Sequence, residues 1–335
     1  MTNDIQIRLA TETDSDYVNL YTTYGVRFVR GAYEALLTPA GMKEYISNDN
    51  RLRNGSQYAA LATSAKKKAR EVAIPFLIEA STESAFFTRY EAFLEKVSSG
   101  LVYLRVPRLN KVFKVVYTSC DKFGISQLKD AIFTLRMIEP DPTDRDKLFD
   151  ARIEYLRGTG TQYIDTGVIY DSTVVVDAKL KMESTTFNGE YLFGIKTTLN
   201  GTTYRWAVDG GSNSYVSPHF GTVTSASVPF TRNEWHVLHA DYRYISVDGV
   251  RVDTQANAFS PANSINLYLY GRSDDNVVAM MRESDIAYFK IYKGGLLVRD
   301  FIPVRKDAVG YLLDKVTGQL YENKGTGNFV LGEDI

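Results

Sequence analysis

The stretch Tyr244-Ile245-Ser246-Val247-Asp248-Gly249-Val250-Arg251-Val252 decides the fold class. Two short runs of β-branched and aromatic residues flank an Asp-Gly pair. A two-residue hairpin turn needs positive φ at both central positions, which Asp tolerates and Gly adopts freely. The stretch therefore reads as a β-hairpin. The same punctuation recurs on either side of it: Asn200-Gly201 between residues 191–198 and 203–208, then Asp209-Gly210 and Gly294-Gly295. Spacing of this kind predicts about ten to twelve short strands after residue 150, enough for two stacked antiparallel sheets.

Working outward, the chain falls into two unlike halves. Residues 1–150 hold six of the 24 glycines, while both tryptophans (Trp206, Trp235) and all three histidines (His219, His236, His239) follow residue 200. Between the halves runs Glu139-Pro140-Asp141-Pro142-Thr143-Asp144-Arg145-Asp146. Two prolines and four acids predict a stiff, solvated stretch that cannot continue a strand. The expected domains are 1–145 and 146–335. A length of 335 residues suits two domains of roughly 100–200 residues each.

The first half reads as α+β. Val72, Ile74, Phe76 and Ile78 alternate at period two, a strand with one apolar face. Pro75 inside it predicts an edge position or a bulge. Phe86, Phe87, Tyr90, Phe93, Leu94 and Val97 recur at helical spacing, a helix stopped by Gly100. Residues 101–106 and 112–118 are expected as strands around the turn Pro107-Arg108-Leu109-Asn110, and 131–139 as a last strand. Residues 32–37 begin a helix, 47–56 form a polar loop, and Lys66-Lys67-Lys68 with Arg70 is a solvated loop or strand edge. The expected fold is mainly β: an N-terminal α+β sandwich with one packed helix, then a C-terminal antiparallel β-sandwich.

Composition narrows the function. With 44% hydrophobic and 24% charged residues, the chain is not a disordered one. Net charge is −1, from 39 basic and 40 acidic residues, so no global field recruits nucleic acid or an anionic membrane. Cys120, the single cysteine, excludes an intrachain disulfide framework and a cysteine-based zinc site. It is expected as a small buried apolar residue rather than a nucleophile. No apolar run approaches the ~20 residues of a membrane span. The opening Met-Thr-Asn-Asp-Ile-Gln-Ile-Arg lacks a basic-then-apolar layout, so a chain made and folded in a reducing cytoplasm is expected.

Catalytic constellations are sparse, and no enzyme is expected. Glycoside hydrolysis needs paired carboxylates flanking the bond; only Glu283-Ser284-Asp285 comes near, with no third acid after it. No Gly-x-Ser-x-Gly elbow or phosphate loop occurs. Gly158-Thr159-Gly160 and Gly325-Thr326-Gly327 read as turns. His236 and His239, three apart on a strand, face opposite ways and cannot share one ion. Trp235 beside them is expected between the sheets.

Glu234-Trp235-His236-Val237-Leu238-His239 with the hairpin at 245–249 resembles the back-sheet hairpin of laminin-G-like, concanavalin-A-like jelly rolls. The segments Ile286-Ala287-Tyr288-Phe289-Lys290-Ile291-Tyr292, Leu297-Val298-Arg299-Asp300-Phe301-Ile302-Pro303, Gly310-Tyr311-Leu312-Leu313-Asp314 and Gly325-Thr326-Gly327-Asn328-Phe329 resemble the closing module of such domains in bacterial and phage surface proteins, many from gut Bacteroidales. The order of elements in the first half, ending in Glu139-Pro140-Asp141-Pro142, resembles the N-terminal ring domain of phage distal tail proteins. That resemblance implies a virion tail-tip structural protein assembled in the host bacterial cytoplasm. It implies a homo-oligomeric ring, a hexamer in that family, with tail tube and tail hub proteins as partners, and no cofactor. The alternative is a bacterial surface carbohydrate-binding lectin.

A sugar site needs an aromatic face for pyranose C–H groups and Asp or Asn for hydroxyls. Tyr204, Trp206 and Asp209 fall on or beside one expected hairpin, with Tyr215, His219 and Phe220 in the next segment; these are the candidate carbohydrate-binding residues. Tyr204 and Trp206 at period two equally suit a core-facing pair. Asp274, Asp275 and Asn276 form an acidic loop carrying the oxygen ligands that Ca²⁺ takes, and equally a plain turn.

Overall fold

A computed structural model describes the chain except residues 1–3, 45–46, 50, 53, 55, 59–64, 183–190, 200–201, 210–214, 222, 225–227, 254–263 and 280. At 48, 57–58, 199, 202, 204, 209, 215–221, 223 and 224 the backbone alone is described. The chain is mainly β and divides into two compact units, Met1–Leu148 and Phe149–Ile335.

The strands of the first unit are β1 (Gln6–Leu9), β2 (Val18–Asn19), β3 (Val26–Phe28), β4 (Ser47–Asp49), β5 (Ser56–Tyr58), β6 (Arg70–Glu79), β7 (Leu101–Val106), β8 (Lys111–Ser126) and β9 (Asp130–Glu139). Seven of them form an antiparallel sheet in the order β2-β1-β7-β8-β9-β6-β3. β4 and β5 pair with each other where a polar loop was expected. Two short helices, α1 (Leu20–Tyr24) and α2 (Ala32–Leu37), precede the main helix α3 (Glu83–Ser98). The Thr82 hydroxyl accepts the Ala85 amide at 3.2 Å and caps α3. The buried face of α3 sets Phe93 against Phe76 at 5.7 Å and Phe133 at 6.0 Å. Pro75 is flanked on both sides, by Thr134 of β9 and by Val29 just past β3, whose amide donates to the Pro75 carbonyl at 3.3 Å. The expected edge position is therefore not what the structure shows; the proline is tolerated where the β3 ladder ends, at residue 76.

Two features of this unit differ from expectation. β8 runs eight residues beyond Thr118, through two bulges, into a solvent-facing end. Cys120 sits on that end and is exposed, because β7 no longer flanks the strand there. The acid that opens the inter-half stretch is not solvated. Glu139 has no exposure and is held by Arg70 Nε at 2.6 Å and by Arg145 through Nε at 2.6 Å and Nη2 at 2.7 Å. Arg70 also donates to the Leu36 and Thr38 carbonyls, tying β6 and β9 to the end of α2.

The second unit is a sandwich of two sheets. One runs Val250–Asp253, Tyr244–Val247, His236–Ala240, Val174–Met182, Glu283–Lys293, Leu296–Lys306, Val309–Asp314, Leu320–Tyr321. The other runs Ile164–Ile169, Asn266–Leu269, Tyr191–Leu199, Thr202–Asp209, Tyr215–Gly221, Val223–Thr224. Its pairing is antiparallel apart from Arg272–Asp274, which lies parallel to Tyr191–Leu199. Val176, Ala178, Leu180, Phe289 and Phe301 from the first sheet meet Phe193, Ile195, Trp206 and Leu267 from the second. Phe193 and Phe289 stand edge to face at 5.2 Å across the layer.

Turns follow the Asp-Gly logic. Asp248 and Gly249 take φ of 49° and 83°, and Gly294 and Gly295 take 57° and 78°. The expected turns at 200–201 and 209–210 include residues outside those described. The second Gly-Thr-Gly segment is more than a turn, since it lies against Thr161, the residue after the first segment. Thr326 N donates to the Thr161 carbonyl and the Thr161 hydroxyl to the Thr326 carbonyl, both at 3.0 Å. Gly158 is a strand residue beneath the Tyr270 ring: a Cβ there would come within 2.7 Å of Tyr270 Cδ1. Strand Val330–Leu331 then pairs with strand Leu156–Thr159.

Candidate functional site

The backbone of each expected site residue is placed. Trp206 is fully buried and packs against Tyr170 at 5.2 Å and Phe193 at 5.7 Å. It pairs across strands with Ile195 on the inward face, so its indole cannot serve as a sugar platform; the core-facing alternative is the one the structure adopts. For Tyr204, Asp209, Tyr215, His219 and Phe220 the side chains lie outside the described residues. Their backbones belong to adjacent antiparallel strands, with His219 opposite Ala207 and Phe220 opposite Trp206.

The acidic loop is a hairpin turn rather than a cation cup. Asp275 and Asn276 take φ of 50° and 68° between paired strands. Asp274 accepts from Arg272 at 2.5 and 2.9 Å and from Lys196 at 3.3 Å, so its charge is already matched. Asp275 accepts from the Thr197 hydroxyl, and the Asn276 amide is used by Asn266 N and the Ser264 carbonyl. Among the described residues, no group of three or more His, Cys, Asp or Glu is placed to hold a metal.

The histidines face opposite ways. His236 is buried between Asp248 at 2.5 Å and the Thr231 carbonyl at 2.8 Å. His239 lies on the outer face, 2.6 Å from Asp177 and stacked on Tyr244 at 4.9 Å. Asp248 also accepts the Val237 amide at 2.9 Å. Partial burial works to raise its pKa, but that amide and His236 outweigh it and hold the carboxyl below its ordinary range. Of the Glu283–Asp285 pair, Asp285 has no exposure. Arg157 holds it in a fork at 2.6 and 2.9 Å, and Lys181 adds a contact at 3.1 Å.

The clearest surface feature is one the sequence reading put elsewhere. Trp235 is not between the sheets. It lies half-buried on the outer face of the first sheet, 6.0 Å from the Tyr155 ring. Lys179 stands 5.5 Å from Trp235, while Lys181 lies 5.3 Å from Trp235 and 5.4 Å from Tyr155. Arg157, anchored by Asp285, covers the Tyr155 ring at 5.1 Å. Strand parity carried the signal. Lys179 and Lys181 alternate with buried Ala178 and Leu180, and Trp235 shares the parity of exposed Val237, not of buried Leu238.

No family model matches the chain, and no curated protein matches it. Among solved structures, the SPP1 Dit protein, described as a paradigm of the hub adsorption apparatus in Gram-positive infecting phages, aligns at 12% identity over 86% of this chain and 99% of its own, with a TM-score of 0.29. The baseplate of phage P2 in its activated conformation with Ca aligns at 9% identity over 88% and 100%, with a TM-score of 0.30. A candidate carbohydrate-binding protein of Bacteroides ovatus aligns at 10% identity over 79% and 92%, with a TM-score of 0.36. These scores describe loose likeness.

The first unit offers a surface of its own. The buried faces of its helices join the core on one side of the seven-stranded sheet. On β9, buried Ala131, Phe133, Leu135 and Met137 alternate with residues on the opposite face, where Ile132 and Ile138 are 57% and 38% exposed. Arg136 lies between them, paired with Glu71 and with Asp121. Among the described residues, no helix is long and apolar enough to cross a membrane.

Proposed function

We propose that the chain is a structural component of a phage tail tip. The first unit builds a closed ring, six-fold by resemblance, that joins tail tube to tip or baseplate, and the β-sandwich meets host-surface glycan. The observation that carries this reading is the one-sided packing of the N-terminal sheet. A sheet with helices on one face and exposed isoleucines on the other has a surface suited to a partner. Identical copies in a cyclic array reuse one such interface throughout. Near-neutral charge suits protein–protein contact, and assembly of this kind needs neither catalysis nor cofactor. Weak glycan contacts repeated around a ring gain avidity. The test is mass by light scattering over a concentration series, with electron micrographs of the same samples. A closed ring is expected. A monomer at every concentration, also with tail tube and hub proteins added, overturns the reading.

The half-buried Tyr155–Trp235 pair on the outer face of the sandwich favours a second reading, a bacterial surface lectin. A monomer that binds glycan at the cell surface would support it.

A further inference from the structure

A row of aromatic rings crosses the first sheet. Phe123 of β8 stacks on Phe133 of β9 at 6.1 Å, Phe133 on Phe76 of β6 at 5.9 Å, and Phe76 meets Phe28 of β3 at 5.4 Å. Tyr33 of α2 prolongs the row, edge to face with Phe28 at 5.6 Å. Its two ends differ. At Phe123, β8 has β9 as its neighbour and no longer β7, which pairs with residues 111–116, and the ring is 47% exposed. At the other end Phe28 and Tyr33 line an open pocket of about 270 Å³. Charge at the two ends is opposite as well. Tyr90 of α3 touches Phe123 at 5.5 Å, and α3 also carries exposed Glu83 and Glu91, one turn to either side of exposed Phe87. The exposed residues of the pocket are Arg30, Glu34 and Arg108, with the Arg108 guanidinium 5.2 Å over the Tyr33 ring. Neither these two arginines nor Glu83 and Glu91 have an ion-pair partner among the described residues.

We propose that Phe123 of one copy enters the Phe28–Tyr33 pocket of a second copy, where Glu83 and Glu91 of the first meet Arg30 and Arg108 of the second. The aromatic row then runs on from copy to copy. A desolvated aromatic anchor inside a polar rim is the arrangement that carries most of the energy of protein interfaces. The contact is head-to-tail: each copy gives the ring at one end and receives one at the other, which is the geometry a closed cyclic array requires. A two-fold pairing would set Phe123 against Phe123 and leave the arginines without acids. Glu34 is the one acid of the pocket, and two arginines outweigh it. The inference rests on the ring reading and names the contact within it.

The test is sedimentation velocity over a concentration series on the whole chain, on Phe123→Asp and on the double variant Arg30→Glu with Arg108→Glu. Each variant is expected to need a concentration at least roughly tenfold higher than the wild type to associate. Melting temperatures should be kept, since all three positions are exposed. Mixing the two variants should give a dimer and nothing larger: the Phe123→Asp copy still has its pocket, the double variant still has its Phe123, and one intact contact joins them. A merely structural Phe123 would show no recovery on mixing. Association of either variant equal to that of the wild type, no dimer on mixing, or a wild type that is monomeric at every concentration overturns the proposal. The ring reading stands or falls separately. A ring that survives in both variants sinks this contact alone. Open chains that both variants disperse uphold the contact and sink the ring.

Discussion

Glu139 shows how much one side chain can hold. Its carboxylate has no exposure and is met by two guanidinium groups, Arg70 from β6 and Arg145 from the segment after β9. Glu139→Gln would keep the shape but remove the charge, leaving Arg70 buried without its counter-ion. Breaking a buried pair in this way costs about 3–5 kcal/mol. Urea denaturation of the variant should show a midpoint lowered to match, and an unchanged midpoint would mean the network is idle. Gly158 is the steric counterpart. A methyl group there meets the Tyr270 ring, whose hydroxyl is committed to the Leu156 carbonyl at 2.6 Å. Gly158→Ala should destabilise the sandwich by about 1–3 kcal/mol through overpacking, seen in the same experiment. The two tryptophans make the point about legibility at this scale. Composition marked both as notable, yet the structure buries Trp206 and turns Trp235 outward. Strand parity around Lys179 and Val237 was readable; the choice between two aromatic faces at Trp206 needed the partner sheet.

At the scale of elements, the hairpin at residues 244–252 joins turn geometry to charge. Asp248 takes φ of 49° and accepts from both His236 and the Val237 amide. Because its carboxyl is held below the ordinary range, the unfolded chain binds the proton more readily than the folded one. The stability it contributes is complete above the ordinary carboxylate range, and is lost as pH falls through that range toward the depressed value. Asp248→Asn should flatten that leg of an acid-denaturation curve; a leg of unchanged steepness would place the linkage elsewhere. The elements with strong periodicity or Asp-Gly punctuation were legible: β6, α3, β7, the last strand of the first unit, and the hairpins at 248–249 and 294–295. The turns Gln127-Leu128 and Asp307-Ala308 also take positive φ, with no glycine to announce them. The extension of β8 opens with Ser119 to Lys122, and its two apolar residues, Phe123 and Ile125, are too few to mark a strand; Cys120 was misread with it. The contact between Thr326 and Thr161 is a long-range pairing that no local spacing encodes.

At the scale of the molecule, each unit encloses its own core, one around Phe76, Phe93 and Phe133, the other around Phe193, Phe289 and Trp206. Self-association through the face of the first sheet that carries Ile132 and Ile138 should be sensitive to charge there. Ile132→Arg, at a position 57% exposed, should disperse the ring in light scattering with little change in melting temperature, since surface substitutions usually shift stability by about 0.5 kcal/mol or less. A ring that survives the substitution would move the interface to another surface. The mainly β class and the two-unit plan were legible because hairpin turns and glycine usage are local and additive. The exposed Ile132 and Ile138 on the other face of the first sheet were not, because which side of a strand the helices pack on is settled only when the chain closes on itself.

The pairing of strand Leu156–Thr159 with strand Val330–Leu331 has a consequence for synthesis on the ribosome. The first unit can complete its fold while the rest of the chain is still being made. The sandwich cannot, for strand Leu156–Thr159 waits for partners about 130 and about 175 residues downstream, in strands Glu283–Lys293 and Val330–Leu331. During that interval the edge of Leu156–Thr159 is unpaired and open to other nascent chains. Arrest of translation before residue 330 should yield a chain whose first half resists protease and whose second half is cut. Release beyond residue 331 should protect both.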